Sequence, residues 1–211
     1  MNPFTFERLS RPMDAASAVA ARPGAMFLAG GTTLVDLMKV DVLTPDTVVD
    51  VRHLGLSSIV VSDQAIAVGA AVTNSQLAWH PVVRDRFPVL SEAILSGATT
   101  QIRNMATVAG NLLQRTRCSY FRDVHASCNR RQPGSGCDAL EGFNRGHAVL
   151  GVSDQCIATH PSDMCVAMQW SLTPSTAWPR LKPSSASHRS EERRVGKECG
   201  YQCRSRWSPY H

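Results

Sequence analysis

An α+β domain is what this sequence predicts, and three observations carry the expectation. Short apolar runs alternate with amphipathic ones through the first hundred residues. A chain of 211 residues, 43% of them apolar, is long enough for one ordinary domain with a real core. No internal repeat or low-complexity tract interrupts the pattern before residue 170.

The elements follow in order. Residues 12–21 read as a helix ended by Pro23 and Gly24, residues 26–29 as a short buried strand and residues 33–40 as a helix. Residues 48–51 read as a strand, and residues 58–71 as a strand pair folded about Asp63. Helical patterns return at 76–80 and 88–97, and 107–112 carries a glycine turn. From Cys118 to Cys156 arginines, glycines and polar residues replace the periodicity, with PGSG at 133–136. A loop of nearly forty residues inside a compact domain needs something to order it.

Charge excludes some functions. The net charge of +5 invites a nucleic acid partner, but residues 169–211 hold eight Lys and Arg against three Asp and Glu, which leaves the first 168 residues neutral. No stretch approaches the roughly 18 apolar residues of a membrane helix, and the N-terminus has no signal-like core. A cytoplasmic chain is expected, unless a signal-bearing partner carries it to the periplasm. No nucleic acid or membrane partner is expected.

Two glycine turns are candidate cofactor sites. Ala29, Gly30, Gly31, Thr32, Thr33 and Leu34 fall where a strand passes into a helix, and paired glycines there let the backbone approach a dinucleotide pyrophosphate. Thr107, Gly110 and Asn111 form a second small-residue turn able to hold a phosphate or a flavin edge. Each turn is equally readable as a plain connection. Asp163, after His160 and Pro161, reads as a helix cap or as an acceptor for cofactor hydroxyls.

The third candidate is the cysteine set Cys118, Cys128, Cys137 and Cys156. Four thiolates suit a [4Fe–4S] cluster or a tetrahedral zinc, and the wide spacing favours the cluster over the close pairs usual for zinc. Cys165, in an apolar helical stretch, reads as a packed thiol. Arg103, Arg115, Arg117, Arg122, Arg130, Arg131 and Arg145 either balance a cluster anion or are simply solvated. His125, His147 and His160 read as unliganded.

In this order the segments FTFERLSRPMDAASAVA, FLAGGTTLVDLMK, VVDVRHL, IAVGAAVTNSQLA and ATTQIRNMATVAGNLLQRTRC resemble the FAD subunit of molybdenum hydroxylases of the xanthine dehydrogenase and aldehyde oxidoreductase kind. The run from Cys118 through HPSDM resembles the branch with an inserted [4Fe–4S] loop. The resemblance covers residues 3–168 and departs from the family pattern at Thr33 and Ala109. It implies a PCMH-type FAD-binding domain of the vanillyl-alcohol oxidase-like fold over 1–168, with a cluster-binding insertion at about 115–158. It also implies that Ala29 to Leu34, Thr107, Gly110, Asn111 and Asp163 contact FAD, and that the four cysteines hold the cluster. The family's C-terminal domain is expected to be absent.

The implied function is electron relay from a molybdenum-cofactor large subunit and a [2Fe–2S] small subunit, through FAD, to an acceptor. Aldehydes or N-heterocycles would be the substrates, and no catalytic acid or base is assigned here. Two other readings stay open: a stand-alone vanillyl-alcohol oxidase-type flavin oxidase, and a non-catalytic metal-binding fragment. Residues 169–211 are expected to be a non-native or frameshifted, disordered tail, because RSEERRVGKEC and CRSRWSPYH resemble a translated sequencing adapter.

Overall fold

The apolar run TVVD is buried at all four positions, and this makes β3 (Thr47–Asp50) the centre of a parallel sheet. It lies between β1 (Thr5–Arg8) and β2 (Ala25–Leu28), in the order β1-β3-β2. The register pairs Phe6 and Met26 with Val48, and Arg8 and Leu28 with Asp50. The computed structural model describes residues 1–148, 153 and 155–172. They fall into two compact units that meet in sequence between Gln114 and Arg115. Of the tail expected at 169–211, residues 169–172 are helical and the remainder lies outside the described residues.

In the first unit, α1 (Pro12–Ala20) joins β1 to β2 and begins on Pro12, where a missing amide costs nothing. Ala15 on its inner face packs with Val49 and Leu54, flanked by Leu9, Val19, Val51 and Leu56. Beyond its end, Arg22 forks onto both Glu7 oxygens at 2.6 and 2.8 Å. The next helix, α2 (Leu34–Lys39), buries Leu37 and Met38 and leads back to β3.

The expected strand pair is a hairpin, β4 (Ile59–Val61) and β5 (Ile66–Val68), whose turn is clipped by Arg86 donating to the Ser62 and Asp63 carbonyls, each at 2.9 Å. Three helices follow. These are α3 (Asn74–Trp79), started by a Thr73 and Gln76 capping box, α4 (Pro81–Arg86) and α5 (Pro88–Ser96). They bury Leu77, Ala78, Val83, Leu90 and Ile94, and Ser91 Oγ donates to the Ala78 carbonyl at 2.8 Å. Two short helices end the unit, α6 (Thr100–Met105) and α7 (Val108–Leu112). The glycine turn expected at 107–112 is therefore a short helix capped by Thr107.

The second unit has little regular structure, as its composition predicts: α8 (Ser119–Arg122), α9 (Asp163–Leu172) and isolated bridges such as Cys128 with Cys137. Phe121, Ala139, Met164 and Ala167 are buried within it. Among the described residues no helix is long and apolar enough to cross a membrane.

Among the described residues Asp50 is the one fully buried carboxylate, with none of its side chain exposed at the carboxyl end of β3. It accepts from the Arg52 amide at 3.0 Å, from Arg52 Nε and Nη2 at 2.9 Å each, and from Arg8 Nη2 at 3.0 Å. The Arg52 side chain above all, then its amide and Arg8, hold the carboxyl well below the usual carboxylate range against the opposing effect of burial. A carboxylate lowered by folding contributes stability that is full above its unfolded value of about 3.9 and is lost as pH falls below it. Asp50→Asn is expected to cost about 2 kcal/mol at neutral pH and to flatten the acid limb of a plot of urea midpoint against pH. An acid limb as steep as the wild type's would refute that role.

Candidate cofactor and cluster sites

At the carboxyl end of β2, beside Asp50 of β3, the chain turns through Ala29 to Thr33 into α2. Ligands of open parallel sheets gather at this end of the strands. Gly31 has φ +74°, a backbone conformation that side chains resist. Gly30 is required for a different reason: a Cβ there would overlap the Met105 carbonyl oxygen, lie 2.7 Å from its carbon and 3.0 Å from the Ala106 Cα. The first glycine turn thus rests directly on the backbone that joins α6 to α7. Among the described residues, no backbone hydrogen bond uses the amides of Gly30, Gly31, Thr32 or Thr33 as donors.

The second turn is pinned from two sides. Thr107 is buried, and its Oγ1 accepts from the Gly110 amide at 3.2 Å, which caps α7. Val108 and Ala109 donate to the Val72 and Ala70 carbonyls at 2.8 and 3.1 Å, while Asn74 donates to the Ala106 carbonyl at 2.8 Å. The Asn111 side-chain oxygen accepts from Gln114 Nε2 at 2.8 Å. The structure therefore sets Gly30 against the Met105–Ala106 backbone that leads into residues 107–111, within the first unit. It adds Met105, Ala106 and Asn74, whose buried Oδ1 has no hydrogen-bond partner among the described residues. A helix-starting Asn carries no signal in sequence that would single it out. Asp163 opens α9 in the second unit.

The four cysteines converge. Cys118, Cys128, Cys137 and Cys156 all line one recess of the second unit, with Phe121, Ala139 and Ala158 among its apolar walls. Cys118 and Cys128 are buried, and Cys137 and Cys156 are half-buried. Cys128 and Cys137 face each other across an antiparallel bridge. Burial pushes the Cys118 thiol up, the Phe121 and Tyr120 amides pull it down, and the nearby Cys128 and Cys137 push it up further. His147 Nε2 lies 3.1 Å from Cys118 Sγ, and Arg130 Nε donates to Cys156 Sγ at 3.1 Å. Cys165 stands outside the recess, its amide donating to Ser162 Oγ at 3.2 Å. Among the described residues no three His, Cys, Asp or Glu side chains are grouped closely enough to share one metal ion.

The arginines divide by what they touch. Arg103 caps the end of α5, with Nη1 donating to the Leu95, Gly97 and Ala98 carbonyls at 3.1, 2.9 and 2.7 Å. Arg131 does the same for α8, donating to the Tyr120 and Phe121 carbonyls at 2.9 Å each and also to Ala126. Arg130 instead donates to a sulfur.

A family model described as the FAD binding domain in molybdopterin dehydrogenase matches residues 2–171. The chain belongs to this family. It is 57% identical over 170 residues to the aldehyde oxidoreductase FAD-binding subunit PaoB of Escherichia coli (strain K12), which covers 80% of this chain and 54% of that protein. It is 37% identical over 87 residues to the nicotinate dehydrogenase FAD-subunit of Eubacterium barkeri, covering 41% of this chain and 29% of that one. Among solved structures, the Cu,Mo-CO dehydrogenase in its cyanide-inactivated form superposes with a TM-score of 0.50 at 32% identity, over 53% of this chain and 40% of that one. Quinoline 2-oxidoreductase from Pseudomonas putida 86 gives 0.51 at 28% identity, over 53% and 39%. The chain spans about half the length, or less, of the curated relatives it matches. The expected FAD-binding domain is thus established at the level of the family.

Proposed function

We propose that this chain is the FAD-holding electron-transfer part of a molybdenum-dependent hydroxylase acting on aldehydes or N-heterocycles. Its complement would be a molybdenum-cofactor large subunit and a [2Fe–2S] small subunit. The observation that carries the reading is the seating of Gly30 on the Met105–Ala106 backbone, which sets the amides of residues 30–33 beside the chain that leads into the second small-residue turn. FAD supplies the one- and two-electron chemistry. Ala29, Gly30, Gly31, Thr32, Thr33 and Leu34 would bind its pyrophosphate through backbone amides. Thr107, Gly110 and Asn111 would hold the facing side, and Asp163 would accept from cofactor hydroxyls. The buried, unpartnered Asn74 Oδ1 is the kind of group a bound cofactor satisfies.

Within the same reading, residues 1–168 form one cofactor domain whose insertion at about 115–158 holds a [4Fe–4S] cluster on Cys118, Cys128, Cys137 and Cys156. Their convergence on one recess supports this. A cluster takes one thiolate per iron and passes single electrons.

Anaerobic purification followed by a visible spectrum and metal analysis tests the reading. Bound FAD together with iron and sulfide is the expected result. Zinc in place of iron would remove the cluster, and flavin reduction by an aldehyde in this chain alone would favour a self-contained oxidase.

A further inference from the structure

Four ligands drawn from separate segments must be brought to one place before a cluster can form, and Cys156 follows Cys137 only after eighteen intervening residues. The tripeptide after Cys128 reaches the neighbourhood of every other ligand. Asn129 Oδ1 accepts from the Gly136 amide, next to Cys137, and its Nδ2 donates to the Gln155 carbonyl, next to Cys156, each at 2.9 Å. Arg130 donates through Nε to Cys156 Sγ at 3.1 Å and through Nη2 to the Ala158 carbonyl at 3.3 Å. Arg131 holds the carbonyls of Tyr120 and Phe121, in the helix that follows Cys118.

We infer that Asn129, Arg130 and Arg131 form the organising element of the cluster site, and that Arg130 is the positioning residue that also raises the cluster's reduction potential through its bond to the Cys156 sulfur. The inference rests on the cluster reading above. A hydrogen bond to a ligating sulfur favours the reduced, more negative state, because it stabilises the added electron density. Arg130 is solvent-exposed, so water screens part of its charge. The directed N–H to sulfur bond, not the net charge, is therefore what sets the shift. A lysine at this position has neither the planar fork nor an Nε–H, and cannot hold Cys156 Sγ and the Ala158 carbonyl together.

The test uses the full chain, reconstituted anaerobically with iron and sulfide, with iron content and a spectroscopically monitored dithionite titration as readouts. Arg130→Ala is expected to shift the ratio of reduced to oxidised cluster about tenfold toward oxidised at a fixed potential, roughly 59 mV for a one-electron couple. Arg130→Lys, which keeps the charge, is expected to move it the same way. Asn129→Ala is expected to lower iron content while the clusters that remain keep the wild-type midpoint. Wild-type midpoints in both Arg130 variants would overturn the inference and leave the cluster standing. A wild-type chain that takes up no iron would instead overturn the cluster reading itself. Should Arg130→Ala bind no iron, the Arg130→Lys midpoint decides.

Discussion

Cys128→Ser is expected to strip the chain of iron, by at least about tenfold relative to wild type, since losing even an outer-shell partner of a metal site commonly costs that much. The residue is buried, lines the recess and faces Cys137 across a backbone bridge. The segment around it has few apolar groups of its own: Phe121 and Ala139 are the buried ones that line the recess with the thiols. A bound cluster would thus act as core, and its loss should appear as faster proteolysis between residues 118 and 158 as well as lost visible absorption. The flavin spectrum is expected to survive, because Ala29 to Leu34, Thr107 and Asn111 lie outside that segment. Cys165→Ser supplies the contrast. Its thiol is outside the recess, so iron content should be unchanged. Equal iron in the Cys128 and Cys165 variants would sink the ligand assignment.

Much of the fold was legible where apolar residues fall in runs or stripes. The β2, α2, β3 and hairpin readings lie within a few residues of the observed elements, because their apolar patterns match the periods of strand and helix. What was missed lacks such a pattern. Three of the four residues of β1 are exposed, so TFER shows no buried alternation. Helix α6 buries no residue at all and has no apolar stripe to find. Helix α4 begins on Pro81, which reads as a breaker in sequence but is well tolerated in a first helical turn.

The candidate sites divide in the same way. Both glycine turns could be picked out, but the seating of Gly30 on the Met105 carbonyl could not, since the two are distant in sequence and meet only through the fold. The cysteines were legible by count. Arg130 was not, because nothing local distinguishes an arginine that reaches a sulfur from Arg103 and Arg131, which satisfy carbonyls at helix ends.

Gly30→Ala is expected to abolish FAD retention, and three glycines allow its cause to be isolated. Alanine at 30 must displace the Met105 carbonyl, which is backbone and cannot swing aside as a side chain would. Overpacking of this kind costs about 1–3 kcal/mol, and here the strain falls on the joint between the two turns that are proposed to hold the cofactor. Any separation of the turns is paid directly in binding, at about tenfold per 1.4 kcal/mol. Gly31→Ala adds positive-φ strain in the same turn, with a Cβ 3.2 Å from Leu28 Cδ1 and 3.3 Å from Val35 Cγ2, side-chain atoms and not backbone. Gly55→Ala has nearly the same φ, +71°, with nothing within 4 Å of its Cβ. It should therefore show the conformational cost alone, about 1–2 kcal/mol of stability, with FAD content intact. The ratio of flavin to protein after gel filtration, beside a urea midpoint for each variant, separates the cases. Gly30→Ala should lose flavin out of proportion to its stability, Gly55→Ala should lose stability and keep its flavin, and Gly31→Ala should fall between. If the Gly30 variant keeps as much flavin as the Gly55 variant, the turns at 29–34 and 107–111 do not form the cofactor cradle.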